Sequence, residues 1–88
     1  MIFRQLFHAE TGTYTYLLGC EQTRESILID PVIDNLEMYL QLIQQLNLVL
    51  LAALDTHVHA DHITALGALR EKTGCTTMMG EPARASCV

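Results

Sequence analysis

A continuous apolar run, Leu48 to Leu54, places the strongest constraint on what this chain can fold into. A strand that faces water on one side alternates apolar and polar residues, whereas a strand covered on both faces is apolar throughout. The run therefore predicts a strand that is buried on both faces. Before this run, apolar residues recur at steps of three and four from Leu36 to Leu46, which predicts an amphipathic helix. Asn47 is expected to end the helix, because asparagine tolerates the left-handed conformation. A helix followed by a buried strand indicates an α/β layer architecture.

Three shorter strands are predicted before this helix. Ile2 to Phe7 is compatible with a short strand near a sheet edge, and Thr13 to Leu18 is rich in β-branched and aromatic residues. Ser26 to Ile29 has the pattern of a further strand that stops at Asp30-Pro31, because proline has no N–H to give to a neighbouring strand. The second and third of these strands are expected to pair as an antiparallel hairpin.

A second helix and a last strand are predicted after the apolar run. Ile63, Leu66 and Leu69 recur at helical spacing. Gly74 is expected to end this helix. Cys75 to Met79 is expected to form a short strand whose paired methionines fill the core. With the edge strand set aside, the predicted order of elements is ββαβαβ.

Composition narrows the domain organisation and the classes of partner. The 88 residues can form one small domain, and a chain of this size hides only about 60 to 65% of its unfolded surface. Half of the residues are apolar and 17% are charged, which indicates part of a larger body rather than a solitary domain. The net charge of -5 and the lack of a basic run argue against nucleic acid and anionic membranes as partners.

The start of the chain and its cysteines bear on localisation. The opening residues lack the basic start of a signal peptide, and the longest apolar run is too short to span a bilayer. Cys20, Cys75 and Cys87 form neither a Cys-x-x-Cys pair nor an even set, so free thiols in a reducing compartment are expected. The prediction is a soluble cytoplasmic protein.

The most chemically dense stretch runs from Asp55 to His62 and holds three of the four histidines in the chain. It directly follows the predicted buried strand, at a strand-to-helix junction where open α/β sheets commonly bind ligands. In an extended chain residues two apart point the same way, so His57 and His59 can aim at a common point. Asp61 and His62 are then expected to open the helix, where backbone N–H groups favour an ionised carboxylate.

This set of donors predicts a metal site. Imidazole and carboxylate ligands suit zinc, iron or manganese better than an ion that requires thiolates. The Gly-x-Ser-x-Gly elbow of a serine nucleophile and a glycine-rich phosphate loop are both absent from the sequence. Asp30, at the end of its strand, is either a carboxylate that caps a loop or one that supports the metal site. His8, in a polar and turn-like run, is expected to be a solvated loop residue.

The motif Thr56-His57-Val58-His59-Ala60-Asp61-His62 resembles the signature metal motif of the metallo-β-lactamase superfamily. Within that superfamily the chain is similar to the persulfide dioxygenases. The similarity extends through Arg4 to Phe7, Thr13 to Gly19, Ile27 to Val32 and the residues Ile63-Thr64 after the motif. The resemblance implies an α/β fold, the metallo-β-lactamase-like αββα sandwich, of which residues 1–88 form an incomplete N-terminal portion.

The resemblance also implies an activity, the oxidation of glutathione persulfide by O₂ to sulfite and glutathione at one Fe(II) per site, with zinc as the alternative ion. His57 carries over as an iron ligand. His59, Asp61 and His62 match ligand positions of the dinuclear zinc relatives and are expected to orient the site and bound water. His59 is grouped with the metal-binding residues, and Asp61 and His62 with the catalytic ones. Asp30 matches the superfamily's buried aspartate beneath the metal loop.

Other interpretations of the function stay open. A homodimer stays open as the oligomeric state. A glyoxalase-II-like, zinc-dependent acyl-glutathione thioester hydrolase usually has a third histidine where Val58 stands. A third interpretation, favoured for the 88 residues by themselves, is a catalytically silent fragment that folds only with the rest of its domain, since the Leu48 to Leu54 strand would lack neighbours and expose its edge. The chain departs from the dioxygenase pattern at Ala65-Leu66, which follow Thr64 where glycine is usual, and the remaining ligands are expected beyond Val88.

Overall fold

The computed structural model describes residues 1–56 and 65–79. In this part of the chain, five strands form one mixed sheet whose order follows the sequence. They are β1 (Ile2–His8), β2 (Thr13–Gly19), β3 (Glu25–Ile29), β4 (Val49–Asp55) and β5 (Thr76–Met79). A 3-10 turn (Ile33–Asn35) leads into helix α1 (Leu36–Gln45), and helix α2 (Leu66–Thr73) lies between β4 and β5 in the chain.

The strand pairing follows the predicted α/β arrangement. β1, β2 and β3 pair antiparallel in succession, which confirms the predicted hairpin and the edge position of the first strand. β3 then pairs parallel with β4, and β4 with β5, and a helix precedes each new parallel strand. Parallel neighbours require such crossover connections, whereas antiparallel neighbours need only a turn.

Both helices end where the sequence predicted. Asn47 has a φ of 57° just after α1, and Gly74 has a φ of 75° at the end of α2. The N–H of Gly74 donates to the carbonyl oxygen of Arg70 at 2.8 Å, so one of the last carbonyls of the helix is satisfied. Neither described helix has the length and apolar character needed to cross a membrane.

The hydrophobic core lies between the sheet and the two helices. Leu17 and Leu28 from neighbouring strands belong to one cluster with Tyr39 of α1 and Leu69 of α2, and all four are at most 1% exposed. Burial of an aliphatic or aromatic side chain stabilises a fold by about 1.5–3 kcal/mol. The two helices therefore cover the same face of the sheet.

The prediction that the apolar strand is buried on both faces is wrong for this chain. Leu50 and Ala53 are buried in the core with the helices, but Val49 is 60% exposed and Leu51 is 45% exposed. The physical reason is that the helices of the described residues cover one face of the sheet and leave the other open. The expectation that this strand would lack neighbours is also wrong, because β3 and β5 pair with its two edges.

The uncovered face of the sheet is apolar and aromatic. Phe3 and Phe7 of β1 contact Tyr16 and Tyr14 of β2, with ring centroids 5.9 and 4.8 Å apart. Met78 is 47% exposed on the same face, so the prediction that it fills the core is wrong; the side chain of Met79 lies outside the described part of the chain. We call this surface the open face, defined by Phe3, Phe7, Tyr14, Tyr16, Leu51 and Met78.

Candidate metal centre

One edge of the sheet collects the carboxyl ends of four strands. β1, β3, β4 and β5 run in the same direction, because two successive antiparallel pairings are followed by two parallel ones. β4 ends there at Asp55, which is fully buried, and Thr56, the first residue of the motif, is the last one described before residues 57–64. The predicted metal-binding and catalytic residues, His57, His59, Asp61 and His62, lie outside the described residues, and their roles stay predictions.

Asp30 lies at this edge, and its carboxylate binds Thr56, the first residue of the motif. The backbone N–H of Thr56 donates to Oδ1 at 2.8 Å, and the Thr56 hydroxyl donates to Oδ2 at 2.7 Å. The Asp30 N–H donates to the carbonyl oxygen of Leu54 at 2.7 Å. Hydrogen bonds to a carboxylate are shorter and stronger than neutral ones, so Asp30 fixes the point at which the chain leaves β4.

The conformation of Asp30 itself is unusual. Its φ is 58°, and the residue is only 8% exposed. Aspartate tolerates the left-handed region better than most residues because its short polar side chain can bond locally. The supporting role predicted for Asp30 remains a prediction, and its contacts with Thr56 and Leu54 give that prediction a physical basis.

The Asp30-Pro31 pair contacts the chain on both sides of the motif. Thr56 is bound to the Asp30 carboxylate, and the N–H of Ala65 donates to the Pro31 carbonyl oxygen at 3.3 Å. Ala65 is fully buried in the core cluster that includes Leu69. Ala65, one of the residues that depart from the dioxygenase pattern, therefore packs inside the core.

A buried chain of hydroxyl groups lies behind Asp30. The Thr15 hydroxyl donates to the Asp30 carbonyl oxygen at 2.7 Å, and the Tyr39 hydroxyl lies 3.1 Å from the Thr15 hydroxyl. The Thr15 hydroxyl donates its proton to the Asp30 carbonyl oxygen, so the Tyr39 hydroxyl must donate to the Thr15 oxygen. The Tyr39 oxygen accepts the N–H of Val32 at 3.0 Å. Strand β2 and helix α1 together fix the backbone on either side of Pro31.

Sequence reasoning missed this role of Thr15 and Tyr39. Tyr39 is one of the residues at helical spacing between Leu36 and Leu46, and it is fully buried, as that spacing predicts. A buried tyrosine, however, usually needs a partner for its hydroxyl, and this rule could have prompted a search for one. That the partner is Thr15 depends on how β2 packs against α1, which no local pattern reveals.

Replacement of Tyr39 by phenylalanine should lower the free energy of unfolding by about 1–3 kcal/mol, because the buried N–H of Val32 and the oxygen of Thr15 each lose a partner. Urea unfolding of the two proteins measures the difference. Tyr16→Phe is the matched control, since Tyr16 lies on the open face, and its effect should stay within about 0.5 kcal/mol. Equal effects of the two substitutions would contradict the proposed contribution of the hydroxyl chain.

The expectation that His8 is a solvated loop residue is wrong. It is the last residue of β1 and only 8% exposed. Its Nε2 atom lies 3.6 Å from a carboxylate oxygen of Glu10 and 3.5 Å from one of Asp34. The sheet edge that carries the end of β4 therefore also carries a second group of side chains of the metal-ligating type, which the sequence did not reveal.

The described cysteines lie away from the strand end that leads into the motif. Cys20 and Cys75 are free thiols, as predicted, whereas Cys87 lies outside the described residues. Hydrogen bonds from the side chain and the backbone of Thr23 lower the pKa of the Cys20 thiol. Cys20 follows β2, which runs antiparallel to β3, so it lies at the opposite edge of the sheet from Asp30. It is not part of the candidate site.

Comparisons with known proteins agree with this geometry. The family model described as the metallo-beta-lactamase superfamily matches residues 9–86. The mouse protein named persulfide dioxygenase ETHE1, mitochondrial, is 48% identical over 80 residues, which are 90% of this chain and 32% of the mouse protein. A beta-lactamase hydrolase-like protein of Xylella fastidiosa is 33% identical over 85 residues, covering 84% of this chain and 20% of that protein.

Among solved structures, the crystal structure of ETHE1 from Myxococcus xanthus has a TM-score of 0.85 and 58% identity. The match covers 88% of this chain and 34% of that one. The chain thus spans about a third of the length of these dioxygenase relatives. The word mitochondrial in the name of the mouse relative differs from the cytoplasmic localisation predicted here, which stays a prediction.

Proposed function

Because the chain belongs to the metallo-β-lactamase superfamily, we propose that it is part of a persulfide dioxygenase, an oxidoreductase that converts glutathione persulfide, O₂ and water to glutathione and sulfite. The observation that carries the proposal is the 48% identity to a persulfide dioxygenase over 80 residues. The TM-score of 0.85 to a structure of the same name supports it.

The donor set of the motif fits one Fe(II) ion. Two histidines and carboxylate chemistry near the end of a strand suit a non-haem ferrous site, which keeps positions open for O₂ and substrate. His57 would bind the ion, with His59 as the second histidine of the metal-binding group. When bound, the ferrous ion supplies the redox chemistry with O₂. Asp61 and His62 would orient the site and bound water.

The described residues would serve this site by fixing where the motif begins. Asp30 holds Thr56 through two hydrogen bonds, so the residue before His57 has a defined position and direction. The hydroxyls of Thr15 and Tyr39 hold the backbone of Asp30 in turn. Residues that orient a metal ligand without touching the ion typically contribute 10–100-fold to metal affinity. We assign Asp30 this positioning role.

We further propose that residues 1–88 form the N-terminal portion of a longer metallo-β-lactamase-like domain. The open face is apolar and uncovered by the described helices, whereas a solitary sheet domain would cover it or line it with polar groups. Relatives about three times as long supply enough chain for a covering layer. The rest of the domain would pack a second sheet on this face and provide the remaining metal ligands.

A zinc-dependent thioester hydrolase is the second candidate, because a relative at 33% identity is named a beta-lactamase hydrolase-like protein. In such an enzyme two zinc ions would activate water against an acyl-glutathione carbonyl. The two candidates differ in the number and identity of the ions and in the co-reactant. Only the dioxygenase consumes O₂.

The test is made on the full-length parent protein, purified without added metal. We expect one iron per chain by elemental analysis and consumption of O₂ with glutathione persulfide in an oxygen electrode. His57→Gln should lose both the iron and the O₂ consumption, whereas Gln45→Ala on the exposed side of α1 should retain both. Stoichiometric iron without O₂ consumption would overturn the proposal. Two zinc ions with acyl-glutathione hydrolysis would favour the hydrolase.

A further inference from the structure

A group of metal-ligating side chains outside the histidine motif lies at the same sheet edge. His8 ends β1, Glu10 lies in the turn that follows, and Asp34 lies in the 3-10 turn after β3. One ligand atom from each lies within 4.8 Å of the other two. The three residues are not a sequence motif, because the fold brings two separate segments together.

The imidazole of His8 is held in a fixed orientation. Its side chain is only 9% exposed, and its Nδ1 atom lies 2.9 Å from the Thr11 hydroxyl oxygen. The Thr11 hydroxyl donates its own proton to Thr13 at 2.9 Å. Thr11 must therefore accept from His8, so Nδ1 carries the hydrogen. In the neutral ring, the lone pair of Nε2 then points at Glu10 and Asp34.

This arrangement has room for a positive charge between the three atoms. The Nε2 distances of 3.6 Å to Glu10 and 3.5 Å to Asp34 exceed those of ordinary N–H···O hydrogen bonds, about 2.7–3.2 Å. Within the described part of the chain, Nε2 makes no shorter polar contact. A lone pair that faces two carboxylates repels them, and a cation between the three atoms would relieve this repulsion. The two carboxylates themselves reach solvent, since the side chains of Glu10 and Asp34 are 84% and 63% exposed.

The spacing fits a transition-metal ion better than a proton. Zinc binds imidazole nitrogen at about 2.0–2.1 Å and carboxylate oxygen at about 2.0–2.2 Å, so neighbouring ligand atoms of a tetrahedral site are about 3.4 Å apart. The separations of His8 Nε2 from the two carboxylate oxygens are close to this value. One neutral imidazole and two carboxylates also offer the charge that a divalent ion neutralises.

We propose that His8, Glu10 and Asp34 form a second binding site for a divalent transition-metal ion such as Zn²⁺. The imidazole disfavours Mg²⁺ and Ca²⁺, which take oxygen ligands. The site is separate from the end of β4, which leads into the histidine motif. β2 and β3 lie between β1 and β4, so the strand spacing puts these two strands about 14 Å apart. An ion bound here would tie the β1–β2 turn to the segment that follows Asp30.

The first experiment removes the motif and leaves the new site. In the chain with His57, His59, Asp61 and His62 all replaced by alanine, titration calorimetry should show one Zn²⁺ bound. Adding His8→Ala should abolish this binding, and Glu10→Gln or Asp34→Asn should weaken it at least about tenfold. Glu37→Gln, an exposed carboxylate of α1, is the matched control and should leave the affinity unchanged. Circular dichroism monitors folding in each variant.

The second experiment uses the unmodified chain, in case the fourfold variant does not fold. Long-range ¹H–¹⁵N correlation spectra report the two ring nitrogens of His8, whose signals are identified by their loss in His8→Ala. Zn²⁺ should shift the Nε2 resonance and leave Nδ1 protonated. The proposal would be overturned if excess Zn²⁺ left the His8 ring signals unchanged. It would also be overturned if the folded fourfold variant bound no Zn²⁺, or bound it equally well after His8→Ala.

Discussion

Asp30→Ala should destabilise the chain by at least about 4 kcal/mol. The substitution removes the acceptor of two hydrogen bonds from Thr56, and bonds to a charged group contribute about 1.5–3 kcal/mol each. It also leaves alanine at a φ of 58°, which costs roughly 1–2 kcal/mol for a residue with no polar side chain to compensate. Urea unfolding of the chain measures the loss. Glu37→Ala on the exposed side of α1 is the control, with an effect within about 0.5 kcal/mol.

Two milder variants separate the contributions of Asp30. Asp30→Asn keeps an acceptor for the Thr56 N–H and tolerates the positive φ, so it should cost less than alanine. Thr56→Val keeps its N–H and loses only the hydroxyl bond to Oδ2, with an expected cost of about 1.5–3 kcal/mol. Equal destabilisation by Asp30→Ala and Asp30→Asn would contradict a contribution from the positive φ and from the hydrogen bond that the Thr56 N–H donates.

The same variants connect stability to metal binding in the parent protein. If Asp30 positions the start of the motif through Thr56, Thr56→Val should lower iron affinity about 10–100-fold while the protein stays folded. A folded variant with unchanged iron affinity would restrict Asp30 and Thr56 to a purely structural role.

Much of the fold could be predicted because its determinants are local. Alternating and apolar strand patterns, helical spacing, and the left-handed residues Asn47 and Gly74 placed the elements and the C-terminal ends of both helices correctly. α2 begins at Leu66, whereas the predicted helix opening at Asp61 and His62 falls outside the described residues. Asp30 could be located because Pro31 must end the strand before it. Each of these inferences depends on residues within a few positions of one another.

The errors concern contacts between segments that are distant in sequence. Burial of Leu51 depends on a layer that the described residues do not contain, so an apolar run could not show which face is open. His8 lies among polar neighbours in the sequence, yet the position of Asp34 after β3 encloses it. The Tyr39 to Thr15 contact depends in the same way on how α1 packs against β2.

Leu51→Lys should strongly destabilise the parent protein and leave the stability of the 88-residue chain nearly unchanged. In the parent, where we propose that a second sheet covers the open face, a lysine at this position would be buried without a partner. We expect it to lower the free energy of unfolding by about 3 kcal/mol, from the lost apolar burial and the cost of desolvating a charge. In the 88-residue chain Leu51 is 45% exposed, so its stability should change by about 0.5 kcal/mol or less.

Self-association provides the second readout for the open face. An exposed apolar patch of this kind favours association between copies, so Leu51→Lys should shift the 88-residue chain toward monomer in sedimentation velocity. Gln44→Lys on the exposed side of α1 adds the same charge away from the open face and should change neither association nor stability in either protein. If Leu51→Lys destabilised the parent and the 88-residue chain equally, the rest of the protein would not cover the open face. The proposal that residues 1–88 are the N-terminal portion of a longer sandwich would then be wrong.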